Sequence, residues 1–248
     1  MRIAILSDIH ANIEAFQAVL RDLEDQADRI LNLGDLVGYN ASPNECVDLV
    51  RSIGVHSIQG NHDQAICDLQ VAESFNIYAK LAVLWTRTVL NEENTRFLCG
   101  LAETAHLSSG LAFHGSPEST TAYIGLHFQA RSVLKRMKKG VLGIGNACLF
   151  GHTHKRKVWC MDIRGKVAPV DIPSDGIVRL NSEEFYLLNP GSVGQPRNGD
   201  PRSSYLIFDT DESTVRFRLV EYDIPTTMRK IVDAGIPELF ATRLMEAT

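Results

Sequence analysis

Five short polar motifs occur along the chain, and each follows directly after a short apolar run. The motifs are Asp8-Ile9-His10, Gly34-Asp35, Gly60-Asn61-His62-Asp63, His114-Gly115 and Gly151-His152-Thr153-His154. The runs before them, at residues 3–6, 30–33, 55–58, 111–113 and 147–150, have the length and apolar character of β-strands. In open α/β sheets, ligands bind outside the carboxyl ends of the strands. We therefore expect the five motifs to meet at one edge and to form a single site.

The side chains of these motifs predict a site for two divalent metal ions. They offer three oxygen ligands and four imidazoles, with no thiolate: Asp8, Asp35 and Asn61, and His10, His114, His152 and His154. Such a mixed set favours Mn²⁺, our first choice, or Fe, Zn²⁺ or Ni²⁺ over Ca²⁺, which prefers oxygen ligands alone. These side chains are too many for one tetrahedral site and suit two sites that share a carboxylate. Two metals about 3.5–4 Å apart are a known arrangement for in-line displacement at phosphorus.

The order of the motifs resembles that of the calcineurin-like metallophosphoesterases. The pattern of that family is D-x-H, G-D, G-N-H-D/E, H and G-H-x-H, and all five elements are present within residues 1–220. The resemblance implies an α/β fold, a four-layer αββα sandwich of two mixed β-sheets flanked by helices. It also implies a hydrolase of phosphate esters in which a metal-bound hydroxide attacks phosphorus in line.

The resemblance further implies a role for each motif residue. One metal would be held by Asp8, His10 and His154, the other by Asn61, His114 and His152, and Asp35 would bridge the two. His62 would protonate the leaving oxygen or stabilise charge there, and Asp63 would orient His62 through a carboxylate–imidazole hydrogen bond. Asn61 would also contact the substrate.

A further motif, Asn189-Pro190-Gly191-Ser192, is a strong turn sequence that is either purely structural or close to the metals. It resembles a loop of the small prokaryotic phosphodiesterase-like branch of the family. Its extension, Gly194-Gln195-Pro196-Arg197, is similar to a subgroup of phosphatases or diadenosine-tetraphosphate hydrolases. Because a guanidinium can bind phosphate through two hydrogen bonds, we expect Arg197 to contact the substrate.

Three classes of function compete. The first is a phosphoesterase for a small phosphoester or a nucleotide such as a dinucleoside polyphosphate. The second is a phosphodiesterase or nuclease that acts on nucleic acid, which the net charge of −5 disfavours. The third is a non-catalytic scaffold, which the intact ligand set disfavours. A serine/threonine protein phosphatase is also less favoured, because Gly34-Asp35 continues into Leu36-Val37-Gly38-Tyr39-Asn40 without the arginine usual there. Tyr39 and Asn40 either face the substrate or cap the turn.

The chain is expected to form a single domain over residues 1–248. Helical periodicity predicts a helical insertion at about residues 64–110 and a short helical tail at about residues 225–248. The insertion either covers one edge of a sheet or shapes the substrate pocket. Earlier in the chain, a helix is expected at residues 13–23. A second helix is expected to begin at Ser42 as N-cap, with Pro43 at the first position and Glu45 completing a capping box.

The five cysteines are odd in number and show no C-x-x-C spacing, which predicts reduced thiols in a cytosol. No apolar run approaches the ~20 residues of a membrane span, and a candidate ligand at position 8 comes too early for a signal peptide. We therefore expect a cytoplasmic protein with a small phosphorylated substrate and with no membrane or specific nucleic-acid partner. A homo-oligomer is possible.

Overall fold

The computed structural model describes residues 1–143 and 145–248, and its strands there form two six-stranded mixed sheets. The strands are β1 (Arg2–Leu6), β2 (Arg29–Asn32), β3 (His56–Ser57), β4 (Thr104–Leu107), β5 (Gly110–Phe113), β6 (Ala147–Phe150), β7 (Arg156–Met161), β8 (Val167–Val170), β9 (Ile177–Arg179), β10 (Phe185–Pro190), β11 (Ser203–Asp209) and β12 (Thr214–Val220). The first sheet has the order β3-β2-β1-β11-β12-β9, and the second has the order β4-β5-β6-β10-β7-β8.

Helices cover the outer faces of both sheets. They are α1 (Ile13–Leu23), α2 (Pro43–Ser52), α3 (Asn61–Cys67), α4 (Ile77–Val89), α5 (Glu92–Cys99), α6 (His127–Lys138), α7 (Ile224–Asp233) and α8 (Leu239–Glu246), with a 3-10 helix at Leu69–Ser74. The strands β1, β2 and β3 pair in parallel and are joined by α1 and α2, as the sequence predicts. In the second sheet, β5, β6 and β10 are parallel, and α6 packs on β10, β7 and β8.

Alternating apolar side chains divide the interior into layers. In β1, Ile3 and Ile5 point into the core between the two sheets, whereas Ala4 and Leu6 point toward the helices on the first sheet. Successive side chains of a strand face opposite sides of the sheet, so one apolar strand serves two core layers. A third apolar cluster lies between the second sheet and α6. The predicted four-layer αββα arrangement is confirmed.

The segment at residues 64–110 is mostly helical but does not end as a helix. After α5, the chain forms β4, which pairs antiparallel with β5 and makes the edge of the second sheet. The expected helix at residues 13–23 is α1. The second helix begins at Pro43 as predicted, but within the described residues the expected capping box is wrong, because the Ser42 side chain caps no backbone amide. The Ser42 hydroxyl instead accepts a hydrogen bond from Lys230 Nζ in α7, 3.4 Å away.

A disulfide corrects the expectation of reduced thiols. Cys67, the last residue of α3, is bonded to Cys99, the last residue of α5, with their Cα atoms 5.6 Å apart. The sequence does not reveal this pair, because 32 positions separate the two cysteines and only the packing of α3 on α5 brings them together. Within the described residues, Cys46, Cys148 and Cys160 are free thiols.

None of the described helices combines the length and apolar character that a membrane span needs. The cytoplasmic location and the homo-oligomer remain predictions, and a disulfide is uncommon in proteins of the cytosol.

Candidate metal centre

The five polar motifs meet at one end of the sandwich, where the two sheets adjoin. Asp8, Asp35 and Asn61 follow β1, β2 and β3 of the first sheet, and His114 and His152 follow β5 and β6 of the second. Backbone hydrogen bonds join the motifs directly. The Asp8 amide donates to Gly34 O (3.0 Å), and the Gly151 amide donates to His114 O (2.9 Å).

Five of the candidate ligands have left-handed backbone conformations, with φ between 49° and 64°: Asp8, His10, Asp35, His152 and His154. Residues other than glycine rarely adopt positive φ, and each such residue costs about 1–3 kcal/mol. These turns direct the five side chains toward one point, and contacts with the surrounding structure hold the strained backbone in place. Strain that is concentrated at one location is typical of a functional site.

Two glycines let the second and third motifs pack backbone against backbone. A Cβ atom on Gly34, which has a φ of +99°, would lie 2.5 Å from the Gly60 nitrogen. A Cβ atom on Gly60 would lie 2.1 Å from Asp35 Oδ1. No side chain fits at these distances, so both positions require glycine.

The first group of candidate ligands consists of Asp8, His10 and His154, all fully buried or nearly so. The Nε2 atoms of His10 and His154 lie 3.1 Å apart, and Asp8 Oδ1 lies 3.8 Å and 3.3 Å from them, respectively. The Nδ1 atom of His10 lies 3.0 Å from Val37 O, and that of His154 lies 2.6 Å from Gln195 O. Because a carbonyl only accepts, both Nδ1 atoms carry the proton, and both Nε2 lone pairs face each other.

The second group consists of Asp35, His114 and His152, with Asn61 beside it. His114 Nδ1 donates to Leu33 O at 2.7 Å, and its Nε2 lies 3.0 Å from Asn61 Oδ1 and 3.2 Å from Asp35 Oδ2. The His152 ring centroid is 5.0 Å from that of His114. Within the described residues, the buried Nε2 of His152 has no hydrogen-bond partner.

Asp35 lies between the two groups. Its Oδ2 atom is 3.6 Å from His10 Nε2 and 3.2 Å from His114 Nε2, while its Oδ1 accepts the backbone amide of His62 at 2.8 Å. One carboxylate oxygen therefore faces an imidazole of each group. A third grouping, of His10, Asp35 and His62, also has ligand atoms close together.

The charges at this site are strongly coupled. Burial raises the pKa of Asp8 to about 7. Burial also opposes ionisation of Asp35, but the nearby imidazoles, His114 first and then His62 and His10, together outweigh that effect and hold the pKa of Asp35 well below its usual value. Burial lowers the pKa of His114, but attraction to Asp35 outweighs it and raises that pKa to about 9. For His10 and His154, burial dominates and the pKa lies well below the usual value, so both rings are neutral at pH 7.

These residues fit two divalent cations. Neutral imidazoles whose lone pairs face each other at 3.1 Å, as in His10 and His154, repel unless a cation lies beside them. Asp8 Oδ1 is buried and, within the described part of the chain, lacks a hydrogen-bond partner, although its Oδ2 accepts the Ser7 hydroxyl at 2.6 Å. A buried, unpaired carboxylate oxygen is costly unless it coordinates a metal. Backbone carbonyls that fix the other nitrogen of each imidazole are the usual outer support of metal-binding histidines.

His62 lies beside the first group, as the resemblance implies, but Asp63 does not orient it. Asp63 Oδ1 accepts the amides of Leu36 (2.9 Å) and Val37 (3.2 Å), and Oδ2 accepts the amide of Gly60 (3.0 Å). The expectation is wrong because Asp63 occupies the third position of α3, where a side chain turns back to the helix N-terminus. Within the described residues, His62 Nδ1 has no hydrogen-bond partner.

Aromatic rings hold His62 instead. Its ring centroid is 4.5 Å from that of Tyr39, 4.9 Å from that of Phe75 and 4.9 Å from that of His10. This enclosure buries the imidazole, and burial lowers the pKa of His62 to about 4. Of the two alternatives for the turn after Asp35, Tyr39 lines the cavity, whereas the Asn40 amide is buried and donates to His10 O at 2.7 Å.

A cavity of about 240 Å³ opens onto both groups of candidate ligands. Four candidate ligands line it: Asp35, Asn61, His152 and His154. The other lining residues are Tyr39, His62, Ser74, Phe75, Asn76, Ala79, Thr121, Tyr123 and Arg197. The half-buried Arg197 is brought there as expected. One of its terminal nitrogens donates to Gln195 Oε1 at 3.0 Å, and its guanidinium lies 5.8 Å from the Tyr39 ring centroid. Within the described residues, Arg197 Nε has no partner.

Sequence reasoning did not single out Phe75 and Tyr123, which also line this cavity. Neither hydrophobic periodicity nor a motif identifies these residues, because Phe75 directly follows a 3-10 helix and Tyr123 lies in an irregular loop after the fourth motif. Helical segments of the residue 64–110 region, including Ala79 of α4, thus form one wall of the cavity.

Comparisons with known proteins identify the family of this chain. The profile of the calcineurin-like phosphoesterase superfamily domain matches residues 1–213. An uncharacterized protein of Methanocaldococcus jannaschii is 35% identical over 247 residues, which cover 98% of this chain and 96% of that protein. The crystal structure of a metallophosphoesterase from Sphaerobacter thermophilus is 37% identical, with a TM-score of 0.83 and full coverage of both chains (100% each).

A hypothetical protein of Pyrococcus horikoshii has the same fold at 18% identity, with a TM-score of 0.77 over 100% of this chain and 98% of the other. The family profile spans all five motifs, and the two relatives above 30% identity extend over nearly the whole chain. The chain therefore belongs to the calcineurin-like phosphoesterase superfamily and is a hydrolytic metallophosphoesterase.

Proposed function

We propose that this protein uses two divalent metal ions to hydrolyse a phosphate ester of a small molecule or nucleotide, a dinucleoside polyphosphate being one candidate. The observation that carries the proposal is the position of Asp35, whose Oδ2 atom lies 3.6 Å from His10 Nε2 and 3.2 Å from His114 Nε2. A carboxylate that faces an imidazole on either side is suited to bridge two ions.

The assignment of ligands follows the two groups. One ion would be held by Asp8, His10 and His154, the other by Asn61, His114 and His152, and Asp35 would be shared between them. Mn²⁺ is our first choice for both positions, because carboxylate, amide and imidazole ligands suit it. When bound, such a pair of ions lowers the pKa of water toward ~7 and neutralises charge on the phosphoryl oxygens.

His62 is proposed to act at the leaving oxygen. Burial keeps its pKa at about 4, so the ring is neutral at pH 7 in the metal-free protein. A neutral imidazole still donates one N–H hydrogen bond, and the negative charge of a bound phosphate favours full protonation. The aromatic neighbours Tyr39 and Phe75 fix the ring plane and exclude water from it.

Asp63 is proposed to support the site without touching the substrate. Its carboxylate ties the backbone after Asp35 to the first turn of α3, through the amides of Leu36, Val37 and Gly60. The same turn carries Asn61 and His62. Asp63 therefore fixes the distance between the bridging carboxylate and the residues that act on the substrate.

Arg197 and Asn61 are proposed to contact the phosphoryl oxygens. Arg197 lines the cavity, and within the described residues its Nε has no partner. The guanidinium therefore keeps donors for an anion besides the nitrogen that donates to Gln195. Binding of a phosphate by two guanidinium hydrogen bonds is stronger and more directional than binding by a single donor.

The direct test is hydrolysis by metal-free protein reloaded with Mn²⁺. A phosphomonoester, a phosphodiester, diadenosine tetraphosphate and a phosphopeptide are compared side by side, with Asp35→Ala as the control. We expect turnover of at least one non-peptide ester that requires both Mn²⁺ and Asp35. Turnover that survives in the Asp35→Ala variant, or is absent for all four compounds, contradicts the proposal.

The role of His62 is tested by leaving-group dependence. The His62→Ala variant should lose turnover of an alkyl phosphate by about 10²–10⁴-fold, the usual contribution of a positioned acid, and should lose less with an activated aryl phosphate. Equal losses on both esters contradict the role of His62 as a proton donor.

A further inference from the structure

The cavity next to the two groups of candidate ligands is small compared with the largest of the proposed substrates, a dinucleotide. Its volume is about 240 Å³, below the roughly 300–1,000 Å³ of pockets that enclose drug-sized ligands. The residues around the opening therefore decide which leaving group is accepted.

Tyr123 stands at this opening with one face of its ring free. The ring centroid lies 4.1 Å from that of His152, with 41° between the planes, so the metal-site imidazole covers one side. The residue nevertheless keeps 51% of its surface exposed. An exposed aromatic ring that packs directly on a candidate ligand and lines the cavity offers a flat apolar surface next to the reacting phosphate.

The loop that carries Tyr123 is anchored on both sides of the ring. Thr120 is buried, and its hydroxyl donates to Gln64 Oε1 in α3 at 2.6 Å. Ile124 is 3% exposed and packs in the apolar cluster under α6. Before the ring, a Cβ atom on Gly115 would lie 2.5 Å from Thr120 O, because the loop folds tightly over that glycine. Tyr123 is thus positioned in advance of substrate binding.

A second aromatic side chain, Phe75, also lines this cavity. Phe75 is partly buried and packs on His62, the proposed donor to the leaving oxygen, with ring centroids 4.9 Å apart. The leaving group of an ester bound at the metals therefore departs into a space bordered by two aromatic side chains. Such surroundings favour a planar group over a flexible, hydrated alkyl chain.

We infer that Tyr123 is a specificity-determining residue that stacks on the planar leaving group of the substrate, so that the preferred esters are those of nucleosides or aryl alcohols. This inference rests on the proposed function, because it concerns the leaving group of the same reaction. A base that stacks on one aromatic ring gains roughly tenfold or more in binding. With a dinucleotide, one nucleoside occupies this position and the other lies outside the cavity.

The test compares two substrates that differ only in the base, adenosine 5′-monophosphate and ribose 5-phosphate, with Mn²⁺-loaded protein. Both release the same type of alkoxide, so the ratio of their kcat/KM values isolates the contribution of the base. We expect Tyr123→Leu to lower kcat/KM for the nucleotide by about tenfold and to change that for ribose 5-phosphate less than twofold. Tyr123→Phe, which keeps the ring, should retain the nucleotide preference. p-Nitrophenyl phosphate as a third substrate separates a general aryl preference from a nucleoside preference.

The matched control is Phe128→Leu, which removes an aromatic ring that is 67% exposed on α6 and does not line the cavity. It should leave all three kcat/KM values unchanged. Equal losses on both sugar phosphates in Tyr123→Leu would mean that the ring only supports His152, and that result overturns the inference. Unchanged values in Tyr123→Leu overturn it as well.

Binding separates failure of the inference from failure of the proposed function. Calorimetric titration of wild type and Tyr123→Leu with a non-hydrolysable adenosine 5′-phosphonate and its ribose counterpart needs no turnover. Tyr123-dependent preference for the adenosine compound, in a protein that hydrolyses none of the esters, refutes the proposed reaction and supports the stacking. Equal binding of the two phosphonates by an active wild-type enzyme refutes the stacking and leaves the proposed reaction standing.

Discussion

The ring of Phe240, in the last helix of the chain, lies 4.9 Å from the ring of Tyr39, measured between centroids. Tyr39 in turn lies 4.5 Å from both His10 and His62. The C-terminal helix thus reaches the site through a single intervening side chain. The tail contains no polar motif that would predict this contact. The contact arises because Phe240 is fully buried beside α4 and α7.

We predict that Phe240→Ala lowers both stability and activity. Removal of a fully buried phenylalanine costs about 3–5 kcal/mol, and the space left beside Tyr39 loosens its contact with His62. Denaturant unfolding and kcat for an unactivated alkyl phosphate measure the two effects. Met245→Ala is the control on the same helix, because Met245 is 62% exposed and its loss should change stability by less than about 0.5 kcal/mol. A stability loss with kcat unchanged would restrict Phe240 to a structural role.

Gly60→Ala is predicted to abolish metal binding and activity together. The new Cβ atom would lie 2.1 Å from Asp35 Oδ1 and 2.2 Å from the Asp35 amide, so the proposed bridging carboxylate has to move. Metal content after gel filtration and Mn²⁺-dependent turnover are the measurements.

Gly100→Ala is the matched control, since its Cβ would meet no atom closer than 3.4 Å. A Gly60→Ala protein that still binds two equivalents of metal would contradict the proposed position of Asp35 in the metal site.

The grouping of the candidate ligands could be predicted from the sequence because each candidate follows its strand within a few residues. Asp8 comes shortly after the end of β1 and Asp35 shortly after the end of β2, so the short-range pattern alone indicates one edge. The two-sheet architecture needed the family resemblance, since the short strands β8 and β9 carry no distinctive alternation. Neither β8 nor β9 contains an apolar run as clear as those that precede the motifs.

Other features depend on packing that no local pattern encodes. The role expected for Asp63 fails because a carboxylate at the third position of a helix finds three backbone amides closer than the neighbouring imidazole. The Cys67–Cys99 pair depends on how α3 meets α5, and the exposed ring of Tyr123 depends on a loop fold set by Gly115 and Thr120. These contacts join residues that are distant in sequence or lie in irregular segments, where periodicity gives no information.

Loss of the disulfide is predicted to destabilise the protein. The bond closes a loop between positions 32 apart, for which chain entropy predicts a stabilisation of about 3–4 kcal/mol. We expect the Cys67→Ser, Cys99→Ser double variant to unfold at a Tm lower by roughly 10 °C, as a loss of that size implies for a chain of this length. Wild type and Cys46→Ser, which both keep the disulfide, should show the same shift in dithiothreitol, whereas the double variant should be insensitive to the reductant. An unchanged Tm in both the variant and the reduced wild type contradicts this prediction.

The metal-free protein is predicted to become less stable as pH rises from about 7 to 9, above the range in which the buried histidines with lowered pKa values add stability with rising pH. Attraction to Asp35 outweighs burial and raises the pKa of His114 to about 9, above the usual 6.5. A raised histidine pKa contributes stability that is complete below pH 6.5 and is lost as pH rises through 9. Burial raises the pKa of Asp8 to about 7. Protonated Asp8 therefore also stabilises the folded protein, and this contribution is lost as pH rises through 7. Thermal melts in EDTA across this range should show Tm falling by several degrees.

Bound Mn²⁺ should reverse this trend, because the metal needs the Nε2 lone pair of His114 and therefore displaces its proton. The increase in Tm that Mn²⁺ produces should grow from about pH 7 to 9, and calorimetry in buffers of different ionisation enthalpy should detect proton release on binding. In His114→Asn, where this group cannot titrate, the metal-free Tm should depend less on pH between 7 and 9. A slope as steep as that of wild type in this variant would show that a group other than His114 controls stability in that range.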